Sequence, residues 1–412
     1  MISLYRRTAL LLPVALLLLW PQTGQASVIA LVNEGAALVA RGEYAAGLEL
    51  LHEAEGRLPD RSTVAGLLGH AYIGLGYQSL QARQPEAALD AFLAAEAYRP
   101  DDVQLWQGEA IAALHLGRNA QAEVAVQRAL GLATEAPHLY ALLGRIRYAA
   151  GDMAGALSAL EQARDLGGDE KVLALLAKVE REWQHEQGMQ RDYGSVFHLS
   201  YADDGRSDLT DAILATLEKA YAELGAELDY YPDIEVPVLL YTRQAFRQVT
   251  NSPDWAGALY DGKIRIPLGG LQRMTPELKA LLYHEYAHAL LRFLGRGRLP
   301  HWLNEGYAEL AGRRHHDPGL EQLQQARAAQ RLLSWERLAD GFEQLPAEQV
   351  RLAYQQSYAL VAFLIDRFGW HLFRDLVEAL ADGATLAGAF HVAYGDYGMD
   401  WERLQESWRE GL

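Results

Sequence analysis

Three observations predict an α-helical repeat solenoid followed by an α+β domain. Small residues recur at a fixed interval in the first half: Ala88, Ala122 and Ala156 stand 34 residues apart, and Ala95, Ala129 and Ala163 repeat that spacing. Past the first half the pattern becomes that of strands: SVFHLSY (195–201) and GALYDGKIRIP (257–267) alternate, and VPVLLY (236–241) reads as a buried strand. The rest reads as mainly helical. A chain of 412 residues, half of them hydrophobic, is long enough for more than one cored domain.

Taken in order, the first element is an export signal over residues 1–26. Arg6 and Arg7 make a positive start, Ala9 to Trp20 is apolar, and Gly24-Gln25-Ala26 offers small residues for cleavage. The expected location is the periplasm or the medium, with membrane attachment only if the signal is retained. The chain contains no cysteine, so disulfides and a lipidated cysteine are excluded, and any metal must be held by His and carboxylates. A formal charge of -17 argues against a nucleic-acid partner, which would require a basic face.

The repeat copies are GEYAAGLELLHEAEGRLP, RQPEAALDAFLAAEAYRP, GRNAQAEVAVQRALGLAT and GDMAGALSALEQARDLGG. A 34-residue unit with small residues where helices cross resembles the tetratricopeptide repeat, across roughly residues 28–168. Asp169 to Gln187 reads as a capping helix with an apolar stripe at Val172, Leu175, Leu176 and Val179 and a charged opposite face. The array with its cap is placed at 28–190, and Asp192 to Ser195 reads as a linker. The resemblance implies a groove for a peptide or protein partner.

In the second half, a helix is expected over about 208–225. Another opens with Thr275 as cap, Pro276 in the first turn and Glu277 facing the dipole, and ends at Gly295 and Gly297. It carries His284-Glu285-Tyr286-Ala287-His288. Residues i and i+4 share a helix face, so both imidazoles can reach one metal ion. Glu285 lies about 100° further round, where it can take a proton from metal-bound water. A catalytic zinc takes three protein ligands and keeps one position open. The helix in LPHWLNEGYAEL (299–310), with Pro300 at its start, offers Glu305 and Glu309, again i and i+4. One can bind the metal and the other can orient a ligand histidine.

HEYAH followed by WLNEGYAEL resembles the gluzincins, the thermolysin-like and aminopeptidase-N-like metallopeptidases. The resemblance covers about residues 195–412, as in peptidase MA-like proteins that carry tetratricopeptide repeats. It implies a zincin-like catalytic domain with Zn2+ held by His284, His288 and Glu305. It also implies Glu285 as proton acceptor and Glu309 behind a ligand histidine. AYQQSYALVAFL (353–364) resembles the aminopeptidase segment whose tyrosine stabilises the oxyanion. That role maps onto Tyr354, with Tyr358 as the alternative. Aminopeptidases of the group carry an acid in an edge strand to hold the substrate's free amine. Here the strand reads GALYDGKIR, with no acid at that place and Asp261 two residues beyond it. An endopeptidase acting on peptide or protein is therefore expected. His301 can line the cleft, whereas His315 and His316 read as a solvated loop. The reading from another class is a non-catalytic periplasmic scaffold that binds a partner through its repeats.

Overall fold

The computed structural model describes residues 22–202, 207–233, 235–250, 259–260, 262–339, 341–342 and 345–411. Most of the expected export signal and Asp261 lie outside the described residues. The first half is helical: α1 (Gln22–Ala40), α2 (Tyr44–Arg57), α3 (Ser62–Gln81), α4 (Pro85–Glu96), α5 (Val103–His115), α6 (Asn119–Leu132), α7 (Pro137–Ala149), α8 (Met153–Asp165) and α9 (Glu170–Glu186). The aligned alanines fall on α4, α6 and α8, and all six are fully buried. The turn preceding each of these helices keeps the same period. Arg83, Gly117 and Gly151, again 34 apart, all have positive φ (54°, 71° and 79°). The spacing therefore marks one repeated helix–turn–helix geometry.

The chain divides into two compact units. One holds α1 to α5 with most of α6; the other holds α7 to α9 together with everything downstream. The second unit contains a five-stranded sheet of β1 (Gln190–Tyr193), β2 (Phe197–Tyr201), β3 (Val236–Tyr241), β4 (Leu259–Tyr260) and β5 (Ile264–Pro267). Their order is β1-β2-β3-β5-β4. The inner pairs are parallel and the outer pairs antiparallel. β3 matches VPVLLY residue for residue. The expected linker is different: residues 190–193 form edge strand β1. Its sequence QRDY is polar and mostly exposed, so no alternation signals it. GALYDGKIRIP contains two strands that pair as a hairpin through Gly262.

Helices complete this unit: α10 (Ser207–Leu228), α11 (Arg243–Thr250), α12 (Pro276–Leu294), α13 (His301–Arg313), α14 (Glu321–Ala328), α15 (Trp335–Ala339), α16 (Ala347–Phe368), α17 (Trp370–Ala381), α18 (Leu386–Tyr394) and α19 (Trp401–Gly411). Among the described residues, no helix is long and apolar enough to cross a membrane. The sheet separates two environments. Phe197, Leu199, Val238, Leu240, Ile264 and Ile266 join the main core with α10 and α12. Leu239 and Tyr241 pack on Phe246 and Val249 of α11.

Lys263, just before β5, and Arg265 on it alternate with the core isoleucines and are themselves buried. Both meet Glu182 of α9, which is wholly buried: Arg265 Nη2 donates to Glu182 Oε2 at 3.0 Å, and Lys263 Nζ lies 3.6 Å from the same oxygen. Tyr148 of α7 donates to Glu182 at 2.8 Å and accepts from Arg265 at 2.9 Å. Tyr241 donates to Glu186 at 2.9 Å. Glu182 continues the stripe of Val172, Leu176 and Val179, so the buried face of the capping helix ends in a carboxylate. This ion cluster ties α7 and α9 to the sheet and explains why the compact unit crosses residue 190.

Candidate metal centre

The site is built on two helices closed tightly together. α12 starts as its sequence requires: the Thr275 side chain accepts from the Leu278 N–H at 3.2 Å, with Pro276 in the first turn. α13 follows from Pro300. Two glycines on α13 allow the approach. A Cβ at Gly312 would lie 2.9 Å from the Ala280 carbonyl oxygen of α12, and one at Gly306 would lie 2.3 Å from the Ser357 carbonyl oxygen of α16. The glycine beside Glu305 is therefore a packing requirement between α13 and α16.

This packing brings His284, His288 and Glu305 to one point. The two Nε2 atoms are 3.1 Å apart, and Glu305 Oε2 is 3.7 Å from that of His284 and 3.5 Å from that of His288. Ligands about 2.0–2.1 Å from a tetrahedral zinc stand roughly 3.3 Å apart, so the triangle has the right scale. Among the described residues, no other group of three such side chains converges in this way. Glu305 Oε2 is buried with no hydrogen-bond partner. An orphaned carboxylate oxygen facing two ring nitrogens is costly unless a cation joins them.

The electrostatics agree. Burial disfavours charge on both histidines. At His288 the Glu305 carboxylate overcomes burial and pushes the imidazole up to about 9. Burial likewise works against the Glu305 carboxylate, yet His288 holds it down at about 2. His284 falls to about 4 through burial and the neighbouring His288. Glu285 is buried beside this group, and burial raises it to about 7, against the pull of His288. A carboxyl tuned near neutrality suits proton transfer.

Glu309 Oε1 stands 3.8 Å from His284 Nδ1, the ring's other nitrogen. Arg313, one turn on, donates to Glu309 Oε2 at 3.0 Å and to Asp317 at 2.5 Å. The Arg313 guanidinium lies 4.5 Å from the ring centroid of Tyr358. Tyr358 thus belongs with the group supporting Glu309. Tyr354, on the same helix, lies elsewhere: its ring packs edge-on against Phe342 at 5.2 Å, and Phe342 packs on His301 at 4.3 Å. His301 Nε2 is 3.6 Å from Glu305 Oε1. His315 packs on Tyr283 with ring centroids 4.2 Å apart, so it is not a freely solvated loop residue. His316 is exposed and faces Glu277 at 3.5 Å. Sequence reading missed Arg313 and Phe342. The i+4 spacing of Arg313 from Glu309 was a signal for the first; nothing local points to Phe342.

Residues 222–412 match the Peptidase MA superfamily, a little under half of the chain and the part that holds every residue of this site. Over 128 residues the chain is 31% identical to Protein FlbA of Caulobacter vibrioides. That match covers 31% of this chain and 20% of FlbA, so the chain spans about a fifth of that relative's length. The crystal structure of TTC0263, a thermophilic TPR protein of Thermus thermophilus, aligns with 37% of this chain and 98% of its own. The identity there is 20% and the TM-score 0.23.

Proposed function

We propose that this protein is a zinc-dependent metallopeptidase that cleaves within peptide chains. The observation that carries the proposal is the convergence of His284, His288 and Glu305, with Oε2 of Glu305 buried and unpartnered. Two imidazoles and one carboxylate with an open fourth position make a donor set suited to catalytic zinc. The match of residues 222–412 to the Peptidase MA superfamily supports the same reaction class.

When bound, zinc supplies a Lewis acid that polarises the scissile carbonyl and acidifies a water molecule. The chain's own residues do the rest. His284, His288 and Glu305 hold the ion. Glu285, beside them, takes a proton from the attacking water and delivers it to the leaving amine. Tyr354 donates to the oxyanion as charge develops there. Glu309, fixed by Arg313, sets the orientation of the His284 ring. An endopeptidase is favoured because GALYDGKIR has no acid where an aminopeptidase would hold a free amine. Strand β4 at the sheet edge is suited to pairing with an extended substrate backbone. The repeats offer a surface for a peptide or protein, and the residue 1–26 pattern supports export to the periplasm or medium.

The test is metal content together with hydrolysis of unfolded protein by the purified chain. About one zinc per chain, with cleavage inside the substrate, is the expected result. No zinc uptake and no cleavage, with partner binding through the repeats intact, would leave a non-catalytic scaffold.

A further inference from the structure

The two oxygens of Glu305 face different partners. Oε2 faces both zinc-directed imidazole nitrogens, at 3.5 and 3.7 Å. Oε1 faces Nε2 of His301, at 3.6 Å, which is ion-pair range rather than a formed hydrogen bond. His301 opens α13, one turn before Glu305, so both side chains lie on the same helix face. Its ring meets the buried Phe342 edge-on, at 4.3 Å and 90°. The next residue, Trp302, is fully buried and anchors the start of the helix.

From this division of the carboxylate, we infer that His301 is a positioning residue for the third metal ligand. The inference rests on the reading that Glu305 binds the metal. A carboxylate with both oxygens free can rotate or bind an ion through both, which would fill the open position that catalysis requires. A nitrogen donor aimed at Oε1 opposes both. It leaves Oε2 as the single oxygen directed at the two ligand histidines. Phe342 packs edge-on against the same imidazole, which limits its rotation. Because Phe342 also packs against Tyr354, the ligand carboxylate and the proposed oxyanion donor share one aromatic support.

The experiment is a zinc titration of the full chain against a chromophoric chelator, for wild type and for His301→Ala, His301→Phe and His301→Gln. The melting temperature of each metal-free protein is measured alongside. Zinc affinity is expected to fall about 10–100-fold in the Ala and Phe variants. His301→Gln, which keeps a nitrogen donor, should recover most of the loss. The metal-free melting temperatures of the Phe and Gln variants should stay close to wild type. His301→Phe binding zinc as tightly as wild type would overturn the positioning role while leaving the metal site standing. A wild-type chain that takes up no zinc would overturn the metal reading and this inference together.

Discussion

Two clusters of buried charge lie in the same compact unit and are built in opposite ways. Around Glu182 the carboxylate is enclosed by the chain's own donors: Tyr148, Arg265 and Lys263 all converge on it. Around Glu305 one oxygen is left buried and unpaired, while two imidazole nitrogens face it at 3.5 and 3.7 Å. The first cluster is complete as protein and joins structural elements. The second leaves one carboxylate oxygen unsatisfied beside two ring nitrogens, a donor set that could hold a metal ion. Burial alone does not distinguish a structural carboxylate from a ligand; the direction in which its oxygens are satisfied does.

The largest effects should come from breaking each cluster at its centre. Glu285→Gln should lower peptide hydrolysis by about 10²–10⁴-fold while zinc content stays at the wild-type level. Retained hydrolysis in that variant would remove Glu285 from the mechanism. Glu182→Ala should cost about 3–5 kcal/mol of stability in urea unfolding, because it strands two buried cations. A loss well under 1 kcal/mol would mean that water replaces the carboxylate there.

Tyr354→Phe comes next. It should lower kcat by about 10²–10³-fold with zinc affinity unchanged, whereas Tyr358→Phe, whose ring serves Arg313, should leave kcat near wild type. The reverse ranking would exchange the two roles. Glu309→Ala should weaken zinc about 10–100-fold in chelator competition without abolishing binding.

The smallest effect sharpens the structural side of the comparison. Burial raises the Glu186 carboxyl above its ordinary range, against the pull of Lys263 and Arg265. A carboxyl raised on folding contributes stability below its unfolded pKa and loses it as pH rises through the folded value. Stability of Glu186→Gln relative to wild type should therefore improve as pH rises through that window. An unchanged difference across it would show that Glu186 titrates alike in both states.

Much of this arrangement is legible in the chain. The 34-residue interval places α4, α6 and α8, and the aligned alanines are all fully buried. VPVLLY reads as a strand and forms β3, and the start signals at Thr275 and Pro276 locate α12. The polar strand β1 reads as a linker, since an exposed edge strand carries no alternation. The capping helix reads as one charged face and one apolar face, although Glu182 lies on the buried side. Its partners are on α7, on β5 and at the residue just before β5, distant in sequence, and no local pattern announces them.

The sequence by itself determined the periods, the helix caps, and the i to i+4 pairs of His284 with His288 and of Glu305 with Glu309. These are properties of one segment and its neighbours along the chain, and helix geometry alone places them on a shared face. Tertiary structure decided which oxygen of Glu305 meets which ring, which tyrosine supports Arg313, and that α7 to α9 join the sheet in one compact unit. Those outcomes depend on how closely α12, α13 and α16 approach and on where buried charge finds its partner. Both are set by packing between segments far apart in sequence.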